Sequence, residues 1–224
     1  VNIGGLKDGV HPKIRNCVVR YGTGNIAEGP AMTREECVQA ILTGVDTVRD
    51  LKAEGYDLIV TGEMGIGNTT TSSACAAVLF DQAPEVVTGR GAGLSTEGLN
   101  KKVRAIERAI EVNHPDKTDA IDVISKVGGL DIAGMVGCYL GAAYYHLPIL
   151  IDGFISAISA YLAGMLSKTA KEYMIPTHGS AEPAAKLAME HLGRQAPIQA
   201  GMHLGEGTGA IMGLSLIDQG LNVY

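Results

Sequence analysis

Hydrophobic and polar positions change period several times along the chain, and each change marks an element. Val38, Ile41, Leu42, Val45, Val48 and Leu51 recur at helical intervals, so they predict one core-facing stripe. Thr33 and Glu36 supply a capping box ahead of that helix, which runs to about Glu54. The period then switches. "YDLIV" is a short apolar run ending at "TG", the pattern of a buried parallel strand, and the glycine-rich turn after it opens into a small-residue helix over 69–79.

The same order recurs in weaker form. "EVVTGRGAG" predicts a strand and turn before a helix over 96–112, "LPILIDG" a strand and turn before a helix over 154–166, and "IQAGMHLGEGTG" a strand and turn before a helix over 210–217. Further helices are predicted over 119–126, stopped by Gly128-Gly129, and over 131–145 and 181–192. Strands alternating with helices predict an α/β fold: a doubly wound, mainly parallel sheet with flanking helices, Rossmann-like. Right-handed crossovers would gather the glycine turns at the carboxyl edge of that sheet. One principal domain over 1–224 is expected, since no fixed-period repeat, low-complexity tract or linker interrupts the chain.

Composition narrows the function. The net charge is -6, no block of Lys or Arg is present, and aromatic residues are scarce, with no Trp and two Phe, so nucleic acid is not an expected partner. Cys17, Cys37, Cys75 and Cys138 are widely spaced and show no C-x-x-C, which fits reduced thiols in a cytoplasmic protein. The most apolar tract, 135–166, is interrupted by His146, Pro148 and Asp152, so helix, strand and helix in a core fit it better than a membrane span. His11, His114, His146, His178, His191 and His203 lack ligand spacing, and no metal is expected. The first residue is Val, and "VNIGGL" reads as the tail of a strand, so the chain is expected to begin partway through a larger protein or at a processed terminus.

The candidate chemistry centres on "GEMGIGNTT". Gly62, Gly67 and Thr69 stand in the G-x-x-x-x-G-K-[ST] frame, but Asn68 replaces the lysine. Backbone amides of Gly65, Gly67 and Asn68 at a helix N-terminus favour an anion without side-chain charge, whereas a magnesium nucleoside triphosphate would require the lysine; one monoester phosphate suits the turn better. The plainer reading, glycines that only permit a tight turn, stays open. Lys102 or Arg90 is placed to supply a cation, or to sit on the surface. Glu63 and Glu206 each follow a glycine after a strand, in "TGEMGIG" and "LGEGTG"; partial desolvation there would raise them toward general-base values, and the plainer reading, structural or solvated turn carboxylates, stays open beside it. Asp152, ahead of a glycine, reads as a cap or a hydrogen-bond acceptor for a neighbouring loop.

In this order, "GTGNIAEGPAMTREE", "GEMGIGNTT", "GRGAG" with "NKKV", "VISKVGGLDIAGMVG", "LPILIDGF", "SAE" and "LGEGTGA" resemble the nicotinate-nucleotide:dimethylbenzimidazole phosphoribosyltransferases of cobalamin lower-ligand synthesis. The resemblance implies transfer of the phosphoribosyl group of nicotinate mononucleotide to 5,6-dimethylbenzimidazole, without a cofactor or metal. It implies Glu206 as the base, Glu63 as a second acid, and Gly65, Gly67, Asn68 and Lys102 as the phosphate cradle. Met64, Thr69, Arg90, Gly91, Asp152, Leu204 and Gly205 are implied as further substrate contacts. The family is usually longer, with an N-terminal part that builds a small second domain, expected to be incomplete here, and one wall of the acceptor pocket; without it the acceptor could be adenine, another benzimidazole or a phenol. A catalytically silent nucleotide-binding relative is the rival expectation. A homodimer is also implied, and "AGMVGCYLGAAYY" suits either an interface or a core.

Overall fold

The computed structural model describes residues 1–5, 7–202 and 204–224, so His203, weighed above as a metal ligand, lies outside the described residues. The order of elements is α1 (Arg34–Ala53), β1 (Ile59–Val60), α2 (Asn68–Leu79), α3 (Pro84–Val87), α4 (Thr96–Asn113), α5 (Ala120–Val127), α6 (Leu130–Tyr144), β2 (Ile149–Ile151), α7 (Phe154–Leu166), β3 (Met174–Pro176), β4 (His178–Ser180), α8 (Pro183–Leu192), β5 (Ile198–Met202) and α9 (Thr208–Val223). Strands β1, β2 and β3 pair in parallel in that order, and β4 pairs in parallel with β5. Thr177 is the step between the two sheets: its hydroxyl donates to the Ile151 carbonyl at 2.7 Å while its carbonyl accepts from the Ile198 amide at 3.2 Å. The architecture is thus mixed α/β with parallel strands, as the alternating pattern predicts.

Two expectations change. "EVVTGRGAG" forms no strand: Pro84 occupies the first turn of the short helix α3, where its missing N–H costs nothing and its fixed φ favours helix. Strands β3 and β4 lie in "MIPTHGS", which carries no strand signal because Pro176 and Gly179 depress it; Pro176 is tolerated on an edge strand.

Helix α1 has the capping box, with Thr33 Oγ1 accepting the Glu36 amide at 3.1 Å and Glu36 Oε2 accepting the Thr33 amide at 2.8 Å. Its buried face takes in only part of the predicted stripe. Cys37, Ala40, Ile41, Thr43, Gly44 and Val48 are buried, whereas Val38 and Leu42 are exposed. The cause is the approach of α6: a Cβ on Gly44 would lie 2.7 Å from the Cys138 nitrogen, and one on Gly137 would lie 2.8 Å from the Ile41 carbonyl carbon. Backbones pack this closely only where side chains are absent, so small residues set the rotation of the helix. Helix α7 is buried on nearly every side, as an apolar helix at the centre of a layered fold must be. Among the described residues no helix is long and apolar enough to cross a membrane.

Candidate functional site

A buried hydroxyl network fixes the loops that leave β1 and β2. Thr61 Oγ1 donates to the Leu150 carbonyl at 2.8 Å and lies 2.6 Å from Ser156 Oγ and 3.1 Å from the Tyr139 hydroxyl. Ser156 Oγ in turn accepts the Asp152 amide at 3.0 Å. The loop after β1 also rests directly on the loop before α9. A Cβ on Gly62 would sit 2.8 Å from the Gly207 nitrogen and 2.9 Å from the Glu206 carbonyl carbon, and one on Gly205 would sit 3.5 Å from Glu63 Oε1. The glycine turns that follow β1 and β5 and carry Glu63 and Glu206 therefore converge.

The two turns share a glycine cap and a closing hydrogen bond. Gly67 (φ 87°, ψ 0°) and Gly207 (φ 82°, ψ 2°) cap α2 and α9, with the Asn68 amide bonded to the Gly65 carbonyl and the Thr208 amide to the Gly205 carbonyl, each at 3.1 Å. In this register the counterpart of Glu206 is the exposed Ile66, not Glu63, which corrects the equivalence drawn from the preceding glycines. Glu206 also has φ 57°, so with Gly207 it forms the I′ pair of left-handed residues, a conformation that strains a side chain other than Gly, Asn or Asp.

The helix ends differ in what they hold. Asp152 is 4% exposed, and its Oδ2 and Oδ1 accept the Gly207 and Ala210 amides, each at 3.0 Å. It does what an aspartate before a turn glycine was expected to do, hydrogen-bonding a neighbouring loop, and the start of α9 thereby carries its own anion. His178, buried, sits with Nδ1 4.0 Å from Asp152 Oδ1. Helix α2 has no side-chain cap and no acid in its first turn. Because the turn consumes the Asn68 amide, the amides over residues 65–69 with no hydrogen bond among the described residues are those of Gly65, Ile66, Gly67 and Thr69. Asn68 thus drops out of the expected donor set, while the helix start keeps the property that attracts an anion.

Lys102 reaches this open end from α4. It is 6% exposed, and Nζ donates to Thr69 Oγ1 at 2.9 Å and to the Gly89 carbonyl at 3.1 Å. Burial pulls its pKa down, opposed by the charge of Glu182. Gly91 lies against the same group, since a Cβ there would approach Thr69 Oγ1 to 2.9 Å. Arg90 does not join them: its guanidinium is tied to the Leu94 carbonyl at 2.7 Å and Thr96 Oγ1 at 3.1 Å on its own turn.

Carboxylates also meet the α2 terminus. Asn68 Nδ2 donates to Glu63 Oε2 and, at 2.8 Å, to Asp131 Oδ2 in the first turn of α6. Burial pushes Glu63 up to about 7, with the negative charges of Asp131, Asp152 and Glu206 adding to the rise and the Asn68 hydrogen bond opposing it. Glu206 itself is exposed, so the desolvation expected of both carboxylates acts only on Glu63. Met64, Ile66 and Leu204, on the same two turns, present exposed apolar side chains. Asp131 and Glu182 were not among the residues expected here; each stands at a helix start, where an acid already has a local explanation, and only the fold carries it to α2. Among the described residues no group of three or more His, Cys, Asp or Glu is arranged to hold a metal ion.

Parallel strands whose glycine turns converge around an uncapped helix start, a buried lysine and paired carboxylates define an α/β protein with its polar groups gathered at the strand ends, where such folds bind ligands. Within that class the chain belongs to the phosphoribosyltransferase family whose model matches residues 1–224. It is 52% identical over 206 residues to the nicotinate-nucleotide–dimethylbenzimidazole phosphoribosyltransferase of Acetivibrio thermocellus, covering 92% of this chain and 59% of that protein. It is 48% identical to the protein of the same name from Ruminiclostridium cellulolyticum, covering 95% of this chain and 60% of the relative. The crystal structure of CobT from Thermus thermophilus superposes with a TM-score of 0.88 at 37% identity, over 96% of this chain and 64% of that one. The chain thus spans about three fifths of the length of the curated relatives it matches.

Proposed function

We propose that the full-length protein transfers the phosphoribosyl group of nicotinate mononucleotide to a nitrogen of 5,6-dimethylbenzimidazole, releasing nicotinate and giving the α-ribotide for the lower ligand of cobalamin. The observation that carries this reading is the division of charge about the start of α2. Lys102 donates to Thr69 there, whereas Asn68 donates to Glu63 and Asp131. Nicotinate mononucleotide has the matching polarity, a monoester phosphate at one end and a cationic pyridinium-bearing ribosyl carbon at the other. The pyridinium departs as a neutral ring, so the leaving group needs no acid. The acceptor must lose its N–H as its other nitrogen attacks, and Glu206, exposed beside the apolar Met64 and Leu204, is the base that takes that proton. Glu63 faces the ribosyl carbon and steadies its developing positive charge. Inversion from β to α follows from direct displacement. Residues 1–224 act as one α/β phosphoribosyltransferase domain within a homodimeric, cytoplasmic enzyme; four free cysteines fit a reducing compartment.

Incubating the full-length protein with both substrates, without added metal, and assaying the α-ribotide tests the reading. Glu206→Gln is expected to cut turnover by at least about a hundredfold, as for removal of a general base; unchanged turnover would move the base elsewhere. Lys102→Ala is expected to raise the nucleotide KM, and an unaltered KM would remove that lysine from the phosphate end.

A further inference from the structure

Glu182 precedes α8 in the N-cap position, with Pro183 next, yet its side chain does not cap that helix. It crosses instead to the turn between α3 and α4, where Oε1 accepts the Gly91 amide at 3.0 Å. Its other oxygen, Oε2, is buried without a hydrogen-bond partner among the described residues and is pressed against Gly89, so closely that a Cβ there would lie 2.7 Å from the carboxyl carbon. A buried carboxylate oxygen left unpaired is costly, and nothing in the packing of α8 requires one. The same turn supplies the Gly89 carbonyl that holds Lys102 Nζ, and Gly91 lies against both Thr69 and Lys102.

We infer that Glu182 is a positioning residue for the phosphate end of the site: it pins the 89–91 turn through Gly91 and sets its carboxylate against the turn whose Gly89 carbonyl holds Lys102, so that the lysine is aimed at Thr69 and the start of α2. The inference rests on the phosphoribosyl-transfer reading above. The charge of Glu182 opposes the effect of burial on Lys102, and the Arg90 guanidinium is committed to Leu94 and Thr96. Glycine at 89 is required by the same arrangement, since any side chain would displace the carboxylate.

The test compares wild type, Glu182→Gln and Glu182→Ala in the full-length protein, measuring kcat, the KM for nicotinate mononucleotide across pH, and nucleotide binding by calorimetry. The isosteric Gln variant keeps an acceptor for Gly91 but loses the charge. It is expected to raise KM roughly tenfold with kcat little changed, the scale of a charged hydrogen bond. Its alkaline rise in KM should begin at lower pH, because Lys102 gives up its proton more readily without the carboxylate. The Ala variant, which also frees the turn, should show a larger rise in KM. A Gln variant with wild-type KM and an unmoved alkaline limb overturns the inference while leaving the function intact. A wild-type protein that neither binds nor consumes the nucleotide removes the functional reading itself, and the role of Glu182 with it.

Discussion

Replacing Glu63 by glutamine should stabilise the protein, and only above a particular pH. In the folded chain this carboxyl titrates near 7 instead of its ordinary 4.5, because burial and three neighbouring acids disfavour the anion. The folded state therefore prefers the protonated form. Below about pH 4.5 the group is protonated in both folded and unfolded chains, and its favourable contribution is complete. As the pH rises, the unfolded chain ionises first, and stability is lost progressively until the folded group ionises near 7. At ~1.4 kcal/mol per pH unit the interval gives an upper bound of ~3 kcal/mol, which partial solvent exposure reduces to about 1–2 kcal/mol. Glutamine is nearly isosteric, offers an oxygen to Asn68 Nδ2 and cannot ionise. Urea unfolding of both forms should give similar stabilities at pH 4.5 and a variant more stable by about 1–2 kcal/mol at pH 8, or a few degrees in Tm for a chain of this size. A difference that does not change with pH, or a variant less stable at pH 8, would refute the assignment of the strained charge to Glu63.

The other expectations concern the touching loops. Gly62→Ala sets a Cβ against the Gly207 nitrogen and the Glu206 carbonyl carbon, so urea titration should show a loss of about 1–3 kcal/mol; an unchanged midpoint would mean that the loops separate freely. Glu206→Asn replaces a strained left-handed glutamate by a residue that tolerates that conformation. Calorimetry should show a gain of up to about 1 kcal/mol, and a clear loss would show that the Glu206 side chain is itself a stabilising contact.

Much of the fold was legible because local chemistry spells it. The Thr33/Glu36 box, the switch from helical period to "YDLIV", and the glycines ahead of α2 and α9 place elements within a few residues, and parallel strands follow from their alternation with helices. Two turns misled for physical reasons. The valines of "EVVTG" favour a strand, but Pro84 at a helix start prevails over them in a segment too short for cooperative pairing. Strand β3 carries a proline that only an edge position admits, and the sequence does not disclose which strands are edges.

The residue types at the site, two glutamates, a lysine and an amide-rich turn, were set by motif and spacing alone. Their division of labour was decided by packing. Contact of Gly62 with Gly207 brings the Glu63 and Glu206 loops together, while Asp152 occupies the start of α9 and leaves α2 open. Asp131 and Glu182 enter from distant helices, one to share Asn68 and the other to hold the Gly91 turn beside Lys102. Burial and charge are sums over neighbours remote in the chain. A linear sequence therefore names the titratable groups, and only the folded arrangement determines that Glu63 is pushed toward neutrality, Lys102 is buried and Glu206 stays in water.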